Sequence, residues 1–216
     1  MKIGSLFAGI GGLELGLERS IPNSRTIWQV ESDPYARRVL ARHWPNARRY
    51  NDVRQVGAYN LEPVDLICGG FPCQDISNAG QRAGIHGARS GLWFEFSRII
   101  GELRPRPRYV VVENVAALRV RGLGRVLGDL ATCGYDAVWD CLPASSVGAS
   151  HRRDRLFIIA YTDRIGSNTR TRLSKIVRPS LCDIDRRGRR GKNAGCFAAA
   201  LESRSGSIAE TGGPWN

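Results

Sequence analysis

Cys73 stands where a chain would place a nucleophile. The apolar run 64–68 ends in Gly69-Gly70, and Phe71-Pro72 then set the thiol at the start of a loop instead of inside a packed element. A run of that length suits a buried parallel strand, and in open α/β sheets ligands gather beyond the carboxyl ends of such strands. A free cysteine packed as a small apolar side chain is the competing reading. A second apolar run, 109–115, carries Glu113 and Asn114 toward its carboxyl end, on the same sheet edge. Burial there raises a carboxyl's pKa, so Glu113 could hold or deliver a proton near neutral pH. Ser150-His151-Arg152-Arg153-Asp154-Arg155 leads into the last apolar run. If that segment is extended, its alternating arginines project to one face and can clamp a phosphate while holding a base oxygen. An ordinary charged strand entry has the same composition.

The amino-terminal end carries a different chemistry. A short strand over 2–7 runs into Phe7-Ala8-Gly9-Ile10-Gly11-Gly12, and Ile10, Leu13 and Leu17 then repeat at helical spacing. A strand, a glycine turn and a helix in that order let backbone approach a ligand closely. Glu31 falls about twenty residues past the turn, at the end of a second strand over 26–30, where a carboxylate accepts from both hydroxyls of a ribose. An adenosine-bearing cofactor is implied; a solvated strand-end carboxylate is the alternative for Glu31. Asp52 lies in a loop ahead of the strand at 64–68, within reach of the same crevice and able to accept from an exocyclic amine, though alone it reads as a turn residue. Between the cysteine loop and the next helix, Gly80, Gly84, Gly87 and Gly91 alternate with polar residues including His86, a composition suited to a lid.

The elements that must position these groups follow an α/β pattern. Asp33-Pro34 caps a helix running to about residue 43, an amphipathic helix covers 92–103 before Pro105, and 118–132 reads as one helix. Strands are expected over 136–142 and 155–161. The six cysteines include no Cys-x-x-Cys pair, and neither a signal peptide nor a membrane-length apolar run is visible, so a reduced, cytoplasmic, non-membrane protein is expected. Of the net charge of +12, residues 151–216 carry 14 Lys+Arg against 6 Asp+Glu, and arginine suits phosphate backbones. The chain divides into a patterned domain over 1–161 and a basic, poorly patterned tail over 162–216.

The order of these motifs resembles the DNA (cytosine-5) methyltransferases. The likeness covers about residues 2–161 and is strongest at Pro72-Cys73-Gln74 and Glu113-Asn114-Val115. It implies a Rossmann-like S-adenosylmethionine-dependent methyltransferase fold, a mostly parallel sheet with helices on both faces and a terminal antiparallel strand. It implies that Cys73, as thiolate, adds to carbon 6 of a flipped-out cytosine, and that Glu113 contacts ring nitrogen 3 and the exocyclic amine. Asn114 would order the cysteine loop, and Arg153 and Arg155 would grip the nucleotide. The cofactor, S-adenosylmethionine, would be contacted by Phe7, Gly9, Gly11, Glu31, Asp52, Pro72 and Leu92. The implied partner is double-stranded DNA, in bacterial or phage DNA modification.

Two departures from the family pattern stand out. His151 replaces the usual glutamine. A target-recognition region and a closing segment are not visible, so the tail reads as at most the opening of the former. Poor methylation by this chain alone is therefore expected, unless a second polypeptide supplies the rest. Two further readings compete: a transfer RNA cytosine-5 methyltransferase, which resembles the same family, and an inactive relic that binds nucleic acid through its basic end.

Overall fold

Residues 1–72 and 91–162 of the chain are described by a computed structural model. The apolar runs become strands: β1 (Lys2–Leu6), β2 (Arg25–Val30), β3 (Arg48–Tyr50), β4 (Leu66–Gly69), β5 (Tyr109–Val115), β6 (Tyr135–Pro143) and β7 (Asp154–Thr162). They form one sheet in the order β3-β2-β1-β4-β5-β7-β6. Neighbours from β3 through β5 are parallel, whereas β7 runs antiparallel to both β5 and β6. The chain therefore builds outward from β1 in two directions, and the carboxyl ends of β1 and β4 flank the point where the order reverses. Such a switch point is where open α/β sheets leave a crevice.

Helices cover both faces. The intervening helices are α1 (Gly12–Ser20), α2 (Pro34–His43), α3 (Leu92–Glu102), α4 (Leu118–Arg121) and α5 (Leu123–Thr132). On one face Leu6, Trp28, Ile67, Val110, Val112 and Ile158 meet Trp93, Phe96 and Ile100 of α3 and Val126 of α5, all buried. On the other, Ile3, Leu66, Cys68 and Val111 pack with Leu17 of α1. The α/β class and the mostly parallel sheet agree with the sequence reading, and β7 is the antiparallel strand.

Local chemistry explains where the elements start. Asp33 Oδ1 accepts from Ala36 N at 2.7 Å, with Pro34 behind it, so α2 begins on a side-chain cap and a residue whose φ is preset. The α3 sequence buries Trp93, Phe96, Ile99 and Ile100, a helical stripe.

Three sequence expectations change. The strand expected over 64–68 is Leu66–Gly69, and a strand not expected, β3, precedes it, since Arg48-Arg49-Tyr50 at the sheet edge has no apolar pattern to announce it. The helix over 118–132 is two, divided at Gly122, whose N–H closes the first by donating to Leu118 O at 3.0 Å. Ile10 belongs to the turn before α1 and is 62% exposed, so it is no part of that helix's buried stripe.

β1 also needs a residue without a side chain. A Cβ at Gly4 would lie 2.0 Å from the ring of Trp28, which fills the space over β1 and donates its Nε1–H to Glu62 O at 2.8 Å. Gly4→Ala should therefore lower stability by about 1–3 kcal/mol in urea unfolding. Combining it with Trp28→Leu should cost less than the sum of the two single changes, because the second makes room for the first.

Candidate active site

The glycine turn after β1 is built by unusual backbone. Phe7 and Gly9 both have φ of 56°, a left-handed conformation that costs energy at Phe7 and little at Gly9. The turn is tied to β2 twice: Ala8 N donates to Val30 O at 3.1 Å, and Gly9 N donates to Glu31 Oε2 at 2.7 Å. Glu31 Oε1 accepts from Asp33 N at 2.8 Å. Each carboxylate oxygen thus holds one backbone N–H and keeps acceptor capacity for a second donor, such as a ribose hydroxyl.

The two glycines of this turn have different surroundings. A Cβ at Gly9 would meet nothing within 4 Å among the described residues, so the backbone there is free of them. Gly11, at φ 91°, plays a different part, since a Cβ there would lie 2.3 Å from the Trp44 ring; it lets the turn close against α2. Asp52 caps a 3-10 turn, Val53–Gln55, and its Oδ1 accepts from Arg54 N at 3.0 Å and Arg54 Nε at 3.1 Å. The backbone N–H of Arg54, with its guanidinium, holds that carboxyl below its usual pKa. Arg98 on α3 anchors the turn by donating to Val53 O at 3.1 Å and Val56 O at 2.9 Å.

A second cluster forms across β4, β5 and β7. Arg155 Nε lies 2.8 Å from Glu113 Oε1. The pairing accounts for it: Glu113 faces Phe157 and Val115 faces Arg155, so Glu113 and Arg155 are diagonal neighbours across the antiparallel ladder. Burial raises the Glu113 pKa, Arg155 and then Arg153 oppose that rise, and the net shift is upward. Asn114 is buried. Its Nδ2 donates to Phe71 O at 3.1 Å, and its Oδ1 accepts from Val115 N at 2.8 Å. Gly70 lies so close that a Cβ would sit 2.8 Å from Glu113 Oε2.

These contacts fix the peptide that leads into Cys73. Cys73 itself, the glycine-rich lid and His86 lie outside the described residues, as does the tail beyond Thr162. Pro72 is half-buried, and Leu92 packs against the α3 side of the core. An aromatic series joins the two clusters: ring centroids are 6.4 Å apart for Phe7 and Phe96, 5.4 Å for Phe96 and Trp93, and 5.2 Å for Trp93 and Phe71.

One expectation about the arginines is corrected. The segment before β7 is not extended, because Arg153 has φ of 36°. Arg153 and Arg155 nevertheless both act on Glu113, through a bend instead of strand alternation. Sequence reasoning had no part for Gly70, although a second glycine directly after a buried strand was a usable sign of close approach.

The family model for C-5 cytosine-specific DNA methylases matches residues 1–185. Type II methyltransferase M2.BsuMI of Bacillus subtilis is 35% identical over 166 residues, which cover 74% of this chain and 42% of the relative. M.NlaX of Neisseria lactamica is 31% identical over 164 residues, covering 74% and 52%. Among solved structures, a protein encoded within an Escherichia coli prophage and assigned to DNA modification superposes with a TM-score of 0.62 at 27% identity, covering 76% of this chain and 47% of that one. Dnmt2 of S. pombe gives a TM-score of 0.64 at 20% identity, covering 77% and 52%, a likeness of fold alone.

The chain thus spans about half the length of the curated relatives it matches. The comparisons lend no support to a second polypeptide as partner. Among the described residues, no helix is long and apolar enough to cross a membrane. With most of its length matched by that family model, and with the fold its motifs require, this chain belongs to the C-5 cytosine-specific DNA methylases.

Proposed function

We propose that the chain carries the cofactor-binding and catalytic part of a DNA (cytosine-5) methyltransferase of a bacterial or phage modification system, acting on a cytosine rotated out of double-stranded DNA. One observation carries this reading: Asn114 holds Phe71 O and Glu113 closes on Gly70, so both meet the segment Gly70-Phe71-Pro72 that precedes Cys73. A plain nucleotide-binding protein would have no use for a half-buried, arginine-paired carboxyl beside a thiol-bearing loop.

The residues would divide the work as follows. Phe7, Gly9, Gly11, Glu31, Asp52, Pro72 and Leu92 hold S-adenosylmethionine, with Glu31 accepting from the ribose. When bound, that cofactor supplies an electrophilic methyl group. Carbon 5 of cytosine is a poor nucleophile until the ring is activated. The Cys73 thiolate forms a bond to carbon 6, and the electron pair of the carbon 5–carbon 6 double bond shifts to carbon 5. Glu113, its pKa raised by burial, would hydrogen-bond ring nitrogen 3 and the exocyclic amine and so disperse the charge that the addition brings into the ring. Once carbon 5 has taken up the methyl group, loss of its proton to a base expels the thiolate and restores the double bond. Arg155 serves twice, steadying Glu113 and, with Arg153, gripping the extrahelical nucleotide. Unstacking that nucleotide costs a few kcal/mol, which such contacts must offset.

RNA is the second substrate reading, and the Dnmt2-like fold leaves room for it. Incubation with cofactor and duplex DNA containing 5-fluorocytosine should trap a covalent adduct with the wild-type chain and none with Cys73→Ser. An adduct that persists in Cys73→Ser would sink the assignment of the nucleophile, and trapping on RNA but not DNA would change the substrate. Glu113→Gln should slow adduct formation by about 100-fold, the usual scale for a positioned acid, while cofactor affinity stays within about twofold. Arg155→Leu removes a cation that opposes burial, so the Glu113 pKa should climb further. Infrared titration of the carboxyl checks this, and an unchanged midpoint would show that the ion pair does not tune it.

A further inference from the structure

Below the glycine turn, on the α1 face of the sheet, lies a group of polar side chains that the reaction does not use. Glu14 of α1 and Gln29 of β2 are 0% exposed, and Ser5 of β1 is 1% exposed. Ser5 and Gln29 are register partners across β1 and β2. Among the described residues, Ser5 Oγ, both carboxyl oxygens of Glu14 and both amide atoms of Gln29 are buried without a hydrogen bond of good geometry. Ser5 and Gln29 are still close enough to Glu14 to draw its pKa part of the way back down against the rise caused by burial. The acid is buried more deeply than Leu13, its apolar neighbour on the helix.

Each member sits two residues from a part of the cofactor turn. Ser5 precedes Phe7 by two, Gln29 precedes Glu31 by two, and Glu14 follows Gly12 by two. We propose that Glu14, carried as a neutral acid between Ser5 and Gln29, is a positioning residue that fixes the glycine turn against Glu31. The functional consequence rests on the cofactor reading above; the structural one does not.

Burial favours the neutral form of Glu14, and the hydrogen-bonding capacity of the group agrees with it. A hydroxyl, an amide and a neutral carboxyl each bring donor and acceptor capacity, so three such groups can satisfy one another after small rotations. Ionised Glu14 can still accept from Ser5, Gln29 and its own backbone N–H, but it takes one donor out of the group and leaves a charge out of water with no cation beside it among the described residues. The other titratable groups that face it offer no relief. Glu18 of α1 repels it, although Thr26 N at 2.6 Å and Trp44 Nε1 at 3.0 Å occupy that carboxylate. The Cys68 thiol of β4 is itself pushed well above its usual value, by burial first and by Glu14 second. Among the described residues no lysine or arginine contributes to the balance at Glu14.

The link to the turn runs through Gly9 N–H, which is bonded to Glu31 at the end of the strand that Gln29 holds. Hydrogen exchange at the Gly9 amide of the full chain reads that link without cofactor. Glu14→Gln, a neutral isostere, should keep its protection within about twofold, and Glu14→Ala should lose about tenfold or more. Should Glu14→Ala fail to fold, urea unfolding of wild type and Glu14→Gln across pH decides alone. A carboxyl with a raised native pKa stabilises fully below its unfolded value and progressively less as pH rises toward the native value. Wild type should therefore lose stability relative to Glu14→Gln above about pH 4.5. A difference that stays constant with pH, or Glu14→Gln as damaging at Gly9 as Glu14→Ala, would overturn the proposal. Calorimetry with S-adenosylmethionine separates the two readings: if no form binds it while the Gly9 and pH results hold, the cofactor assignment fails and the role of Glu14 in the turn stands.

Discussion

The close approach of the carboxyl end of β4 to β1 and β5 governs the half of this structure that holds the candidate catalytic residues. Gly69 and Gly70 have room for hydrogen only, the first against Leu6 O and the second against the Glu113 carboxylate. With that room, the Asn114 amide reaches Phe71 O and holds the peptide just ahead of Cys73. A side chain at either glycine would push β4 away from β1 or β5 and move the loop relative to the acid. Catalytic groups tolerate little such displacement, because a shift on the order of 1 Å can remove about 100-fold of rate.

The same sheet edge carries two clusters with opposite electrostatic character. Around Gly9 and Glu31, backbone N–H groups meet a carboxylate, so that region suits a neutral, hydroxyl-bearing ligand with donors of its own. Around Glu113, burial and arginines work against each other. Burial prevails, and the guanidinium of Arg155 keeps the excess moderate. A carboxyl in that balance is suited to exchange a proton with a group placed beside it. Phe7, Phe96, Trp93 and Phe71 lie between the clusters as packed rings, so neither region can shift far without disturbing the other.

Sequence periodicity was a good guide to elements with a strong apolar signal and a poor one elsewhere. β5 has a continuous run of valines and α2 an Asp-Pro start, and both lie where those signals put them. β3 has two arginines and a tyrosine at a sheet edge, where one-sided pairing asks for no apolar face. Gly122 divides a helix that apolar spacing alone would continue. Arg153 adopts a left-handed backbone that no property of arginine announces.

By itself, the sequence determined the class of fold, its apolar strands and capped helices apart from β3 and the break at Gly122, and the identity of the motif residues at their ends, since each depends on neighbours a few positions away. Tertiary structure alone decided which of them meet. The 2.8 Å ion pair of Glu113 and Arg155 spans 42 positions and exists only because β7 enters antiparallel beside β5. The burial of Glu14 likewise depends on β1 and β2 closing beneath α1. A charged letter in a helix normally marks the solvent side, and only the packing around it reveals that this one points inward.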